Sequence, residues 1–333
     1  MWAIVPALVW RDTLWKLRIF CYKEKQEMKR VVLTGATGAV GTALIKELIK
    51  NNIEVLVFCR KDSLRNHNIP ESSLVTKKYC DLTQLKEVQN DTGEAYDVFY
   101  HFAWAGTTGV ARNDMYLQNK NVEYSLDAVE AAKRFGCHTF IGAGSQAEYG
   151  RSAGVLKADT PAFPENGYGM AKLCAGQMSR NLCEQYGMRH IWTRILSIYG
   201  PNDGENSMIM STIKKLMSGE KASLTKGEQQ WDYLYSGDAG TALALLGKYG
   251  KHGKIYCLGS GKTRTLAEYA KIVRDRVNPQ GELGIGEIPY AKNQVMYLCA
   301  DISDLKKDTG FEPKYTFEEG IQETIEWYKG KQK

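Results

Sequence analysis

No stretch of this 333-residue chain is apolar for long enough to cross a bilayer. The longest apolar run, Met1 to Trp10, has ten residues, about half of a membrane span. Charge of one sign is nowhere concentrated. The 44 Lys and Arg against 38 Asp and Glu leave a net charge of +6, and no basic block exceeds three residues, so the footprint of a nucleic-acid binder is missing. Eight cysteines are present, but they form neither a Cys-x-x-Cys pair nor a Cys/His ligand run, which argues against a structural zinc site; no metal is expected. No Pro- or Ser-rich stretch divides the chain, and it has no internal repeat. What remains is an ordinary globular composition, 43% hydrophobic and 25% charged, long enough to bury a core without disulfides or metal.

Residues 1–27 differ in character from the rest. The apolar run comes first and Arg11, Lys16 and Arg18 follow, the reverse of a secretory signal. Two readings stay open: an over-extended start preceding a fold that begins at Met28, or a terminal amphipathic helix carrying Trp10, Leu14, Trp15, Leu17 and Phe20 on one face. Without a secretory signal, and with thiols that sit inside apolar patterns, a reducing cytoplasm is the expected compartment.

From residue 30 apolar strand runs alternate with helix-period segments, the pattern of a parallel sheet covered on both faces. Strands are expected at Arg30–Leu33, Glu54–Phe58, Val75–Tyr79, Val98–Phe102, Thr139–Ile141 and Ile191–Ser197, and helices at Val40–Lys50, Asp114–Phe135 and Tyr168–Tyr186. This is an α/β, Rossmann-type doubly wound parallel sheet. After Tyr199-Gly200-Pro201 the alternation loosens to a helix near Met208–Met217, a strand around Trp231–Tyr235 and two or three later helices. The expected division is a dinucleotide-binding domain over residues 28–200 and a smaller, mainly substrate-binding α/β lobe over 201–330.

Thr34-Gly35-Ala36-Thr37-Gly38-Ala39-Val40-Gly41 follows the first strand and opens the first helix. Glycines at this spacing permit a tight turn, close approach of backbone to a pyrophosphate, and close helix–strand packing, while the helix N-terminus offers free N–H groups to the phosphates. In NAD-binding versions of such a fold an acid usually ends the second strand. Here that strand ends Cys59-Arg60-Lys61, whose cations suit a 2′-phosphate, so NADP is preferred over NAD.

Tyr168-Gly169-Met170-Ala171-Lys172 sets a phenol and an ammonium four residues apart on one helix face. A phenol titrates near 10, too high for efficient acid–base work at neutral pH, and the Lys172 cation is expected to lower it. Ser145 lies 23 residues before Tyr168, just after the fifth strand, where its hydroxyl can hydrogen-bond a substrate oxygen that gains or loses charge.

With these motifs the chain resembles the extended short-chain dehydrogenase/reductases of the NAD(P)-dependent nucleotide-sugar epimerase/dehydratase/reductase family. The resemblance covers nearly all of residues 28–330. It includes Asp81-Leu82-Thr83, His101-Phe102-Ala103-Trp104, Asn121-Val122, Arg194-Ile195-Leu196-Ser197-Ile198-Tyr199-Gly200-Pro201, Trp231-Asp232-Tyr233 and Ala300-Asp301-Ile302-Ser303. It implies that Ser145, Tyr168 and Lys172 form the catalytic set, with Tyr168 and Lys172 also touching the cofactor. It further implies that Asp81 and Leu82 contact adenine, that Ala103 lines the cofactor channel and that Asn121 orients Lys172. The substrate would be a nucleotide-linked sugar, and the assembly a homodimer built on helices Asp114–Phe135 and Tyr168–Tyr186.

Departures from the family pattern bear on the reaction. Dehydratases of this family carry an Asp-Glu pair after the strand-end hydroxyl, where Gln146 and Ala147 stand here. Ser197 replaces a frequent Asn, and Trp231 a frequent Arg, so Trp231 either stacks on a base or packs in the core. Trp104 narrows the sugar pocket or packs at a strand end. Gln146, Ser197, Trp104 and Trp231 are the candidate substrate contacts. The preferred reading is a 4-ketoreductase acting at C4 of a nucleotide-diphosphate hexose. The alternative is an NAD-dependent 4-epimerase; a 4,6-dehydratase and a non-catalytic NADP sensor rank lower.

Overall fold

The computed structural model describes residues 27–331. The first 26 residues, and with them the two readings of the N-terminal segment, lie outside the described residues. Met28 is buried, with the Tyr100 hydroxyl 3.6 Å from its Sδ.

The strand runs of the first half become strands, all but the edge strand β3 largely buried on both faces. They are β1 (Arg30–Thr34), β2 (Glu54–Cys59), β3 (Val75–Tyr79), β4 (Val98–His101), β5 (Thr139–Ser145) and β6 (Arg189–Ile195). The strands that follow are short, from β7 (Ser197–Tyr199) and β8 (Ala222–Leu224) to β9 (Gln230–Trp231) and β10 (Tyr233–Tyr235). Next come β11 (Lys254–Leu258), β12 (Arg264–Thr265), β13 (Leu283–Ile285) and β14 (Tyr297–Leu298). Seven of these form one parallel sheet in the order β11-β6-β5-β4-β1-β2-β3. Its β3 edge carries Lys77 and Lys78, charges that discourage pairing with another strand.

Alternate residues of the strands feed two cores. Val31, Leu33, Val55, Val57 and Tyr100 face one side, where helices α1 (Ala39–Lys50) and α5 (Ser236–Tyr249) pack together. Val32, Leu56, Phe58, Phe99 and Phe140 face the other, under α2 (Met115–Arg134) and α3 (Gly167–Gln185). The period of two along each strand produces this division.

A third core, built from Tyr199, Ile213, Tyr269, Phe317 and Ile321 among others, ties α4 (Met208–Met217), α6 (Leu266–Val277) and α8 (Phe317–Lys331) into the smaller lobe; α7 (Ser303–Thr309) joins the first core through Leu305. Four helices therefore follow α4 where two or three were expected. The strand foreseen at Trp231–Tyr235 is split at Asp232. Its carboxylate is buried and accepts hydrogen bonds from the backbone N–H groups of Ser260, Gly261 and Ala300 at 2.7–3.0 Å. The chain beyond residue 200 also returns to the large sheet, because α5 covers α1 and β11 pairs with β6.

Candidate active site

The glycine turn sits at the carboxyl end of β1, and each glycine has its own reason. Gly35 has φ +80°, and a Cβ there would lie 2.6 Å from Ala103 N and from Phe102 C, so β1 and β4 meet too closely for any side chain. At Gly41 a Cβ would lie 2.8 Å from Ala36 Cα, which holds the start of α1 against the turn. Gly38 is different, because nothing lies within 4 Å of its Cβ position. It is the N-cap of α1, with no side-chain cap bond and no acid in the first turn at Ala39 and Val40. A bare helix N-terminus beside open space fits a pyrophosphate.

That space is a cleft of about 700 Å³ running across the ends of β1, β2 and β4. Gly35, Thr37, Gly38, Arg60, Asp81, Leu82, Ala103 and Trp104 line it, so most of the expected cofactor positions converge. Ala103 is held by its N–H donating to Thr34 Oγ1 at 3.2 Å. Asp81 caps a turn by accepting from Thr83 N at 2.7 Å. Arg60 lines the cleft but Lys61 does not; the second cation there is Arg65, which also bonds Thr37 O at 3.1 Å and Asn202 O at 3.0 Å.

Ser145 ends β5 and its Oγ accepts from Ala147 N at 3.2 Å. Tyr168 and Lys172 lie in the first turns of α3, whose N-cap is the Asn166 side chain. Ser145 is a neighbour of Tyr168, close enough to favour its phenolate. Burial raises the Tyr168 phenol; Ser145 and the Arg112 charge oppose that rise, and Glu148 adds to it.

Lys172 is anchored on the same side of α3 as Tyr168. Its Nζ donates to Ala143 O at 2.5 Å, stands 3.7 Å over the Trp104 ring and is 5.8 Å from the centre of the Tyr168 ring. Burial pulls its ammonium down to about 7 against the opposing pull of Glu148. The Asn121 side chain accepts from Ala105 N and donates to Ala105 O, both at 2.9 Å, and donates to Leu117 O at 3.1 Å, which fastens the loop after β4. The helix spacing set the side of α3 correctly, but the direction of a buried ammonium follows its nearest acceptors.

Ser145 is held from beneath. Glu148 is fully buried, and its carboxylate accepts from Ser145 N at 2.8 Å, Trp192 Nε1 at 3.0 Å and Arg194 Nε at 2.7 Å. The Trp192 indole fits because Gly142, Gly144 and Gly176 have no side chains; a Cβ at any of the three would collide with it. The Gly-Ala-Gly of β5 is thereby explained. Among the substrate candidates, Gln146 follows Ser145 in the same turn and is half-buried. Trp104 meets Tyr168 edge-on, with ring centres 6.1 Å apart, and donates to Gln118 Oε1 at 2.9 Å. Trp231 donates to Ser197 Oγ at 2.7 Å.

The profile of the NAD dependent epimerase/dehydratase family matches residues 31–259. The chain belongs to this family. It is 26% identical over 322 residues to the human dTDP-D-glucose 4,6-dehydratase, covering 90% of each chain. Its fold is similar to that of a UDP-N-acetylglucosamine 4-epimerase from Methanobrevibacter ruminantium, solved with UDP-N-acetylmuramic acid, at TM-score 0.82 and 23% identity over 92% of this chain and all of that one. It is also similar to RMD from Pseudomonas aeruginosa complexed with NADPH, at TM-score 0.78 and 19% identity over 91% of this chain and 100% of that one.

Within this epimerase/dehydratase family member, sequence reasoning missed Arg65, Arg112 and Trp192. Arg65 sits in a turn and Arg112 in a short 3-10 helix (Gly109–Asn113), too brief for periodicity to signal direction. Trp192 had a signal: glycines at 142 and 144 in a central strand mark a close approach by some large group. Among the described residues no helix is long and apolar enough to cross a membrane, and no His/Cys/Asp/Glu group is placed to hold a metal ion.

Proposed function

We propose that the chain is an NADPH-dependent 4-ketoreductase of nucleotide-diphosphate hexoses. The observation that carries the reading is the Tyr168 ring placed beside Ser145 at the end of β5 and edge-on to Trp104, which lines the cleft headed by the glycine turn. A bound nicotinamide supplies the hydride. Tyr168 gives its hydroxyl proton to the carbonyl oxygen at C4 as that carbon is reduced, and the Ser145 hydroxyl hydrogen-bonds the same oxygen while it gains charge. In this reading Gly35, Thr37, Gly38, Ala39, Val40 and Gly41 receive the pyrophosphate. Asp81 and Leu82 flank the adenine, Ala103 lines the channel, and Trp104, Gln146, Ser197 and Trp231 face the sugar nucleotide.

The preference for NADPH rests on Arg60 and Arg65, two cations lining the cleft near the end of β2, suited to a 2′-phosphate. The 4-epimerase remains the second reading, favoured by the family's description and by the fold shared with an epimerase. Elimination is disfavoured, because the one acid in the turn after Ser145 is Glu148, already bonded to three N–H donors.

The remaining expectations join the proposal. Residues 201–330 form most of the substrate side, apart from the segment that returns to the sheet. A homodimer would pair α2 and α3 with their copies; Met170, Cys174 and Met178 leave an exposed stripe along α3 for it, whereas Val129 is buried in the sheet core. The buried, unpaired Cys59, Cys80, Cys137, Cys183, Cys257 and Cys299 suit a reducing cytoplasm.

The test is to offer the purified chain a panel of nucleotide-linked sugars and 4-keto-sugars, with and without NADPH, and to follow absorbance of the reduced nicotinamide. A reductase consumes one NADPH per product. Turnover with no net change in NADPH overturns that reading in favour of the epimerase. Tyr168→Phe is expected to lower turnover about 100-fold or more.

A further inference from the structure

We propose that Gln118, on α2, is a positioning residue that fixes the indole of Trp104 beside Tyr168 and Lys172. The proposal rests on Tyr168 and Lys172 being the catalytic pair of the reaction above. Trp104 lines the cleft three residues past β4, and its indole borders both members of the pair. The Trp104 and Tyr168 rings meet edge to face with centres 6.1 Å apart, and Lys172 Nζ stands 3.7 Å over the indole. A cation is drawn to an indole face. The place of the Trp104 ring therefore helps to fix the place of the Lys172 ammonium, together with Ala143 O, which accepts from it at 2.5 Å.

One buried side chain holds that ring. Gln118 is 1% exposed. Its Oε1 accepts from Trp104 Nε1 at 2.9 Å, and its Nε2 donates to Gly106 O and to Ala111 O, both at 2.9 Å. An indole N–H can only donate and a backbone carbonyl can only accept, so these three partners leave the amide one orientation. Both ends of the loop from Trp104 to Ala111 are thereby tied to a single residue of α2. Gly106 has φ +70°, and a Cβ there would lie 2.8 Å from Leu117 Cδ2 and 3.0 Å from Gln118 Nε2. Glycine is what lets this turn present its carbonyl to the amide. Asn121, three residues on and on the same face of α2, fastens Ala105 between them. Gln118 acts on the reacting groups through Trp104, and a misplacement of about 1 Å at such groups can cost about 100-fold in rate.

The test uses the full chain labelled with nitrogen-15 at the tryptophan indoles, with the Trp104 Nε1–H resonance assigned by its loss in Trp104→Phe. Gln118→Met keeps the length of the side chain and removes all three hydrogen bonds. In that variant the Trp104 resonance is expected to shift and to exchange with solvent about 10-fold faster or more. The kcat is expected to fall about 10- to 100-fold, while NADPH affinity changes far less. Combining Gln118→Met with Trp104→Phe should cost little more than either alone, because both act through one ring. Should Gln118→Met fail to fold, Trp104→Phe carries the same kcat test, since it keeps a ring face for Lys172 and cannot donate to Gln118. An unmoved indole resonance, a kcat within about twofold of the unaltered chain, or single losses that multiply in the double variant overturns the proposal. A Tyr168→Phe variant that keeps its turnover sinks the catalytic reading instead, and the indole resonance still decides whether Gln118 holds Trp104.

Discussion

Trp231 Nε1 donates a 2.7 Å hydrogen bond to Ser197 Oγ, joining two positions 34 residues apart. They lie on neighbouring segments, Ser197 at the start of β7 and Trp231 at the end of β9, just before β10 pairs with β7. Each replaces the residue more frequent in the family pattern, and the two are partners.

A double-mutant cycle of Ser197→Ala and Trp231→Phe should return a coupling of about 0.5–1.5 kcal/mol by urea denaturation. If these residues face the sugar nucleotide, both single variants raise KM more than they lower kcat. Additive stabilities would show that the bond contributes nothing in solution.

At the other end of the cleft, Arg60→Asp and Arg65→Gln should each weaken NADPH binding about 10- to 100-fold, the worth of one charge-assisted contact, and change NADH binding far less. Isothermal titration with both cofactors checks this. Equal affinity of the unaltered chain for NADPH and NADH would remove the argument for a 2′-phosphate site.

Two glycines should respond in opposite ways. Gly38 has open space at its Cβ position, so Gly38→Ala is expected to leave the melting temperature unchanged while lowering NADPH affinity about 10-fold or more, because the methyl intrudes where phosphate approaches the helix N-terminus. Gly144→Ala would drive a methyl into Trp192 and Glu148, at a cost of about 1–3 kcal/mol for overpacking, and would disturb the support of Ser145. Thermal melts paired with cofactor titrations separate the two effects.

Lys172 makes stability depend on pH. Its ammonium is pulled down to about 7 by burial, whereas in the unfolded chain it titrates near its ordinary value of about 10.4. Between these values the unfolded state binds the extra proton, so folding stability rises with pH across the window, by up to about 1.4 kcal/mol per pH unit. Lys172→Met should flatten that rise. Urea denaturation of the cofactor-free chain near pH 7, 8 and 9 measures it, and identical slopes in both proteins would count against the shifted lysine.

Local pattern alone determined much of this protein. Apolar runs alternating with helix-period segments marked six strands of the sheet, glycine spacing marked the turn at β1, and a four-residue spacing put Tyr168 and Lys172 on one helix. Each of these signals is carried by neighbours in the chain, where backbone geometry dictates direction. The tertiary structure decided what depends on groups that meet from distant segments. It made Lys254–Leu258 the seventh strand, an assignment that pairing with β6 settles and a short apolar run does not. It turned Lys172 toward Ala143 O and Trp104, because a buried ammonium goes where acceptors and ring faces are. It brought Arg65 to Thr37, Arg112 to Tyr168 and Glu148 under Ser145. Charge and burial at a site are sums over everything packed around it, and no window of sequence contains that sum.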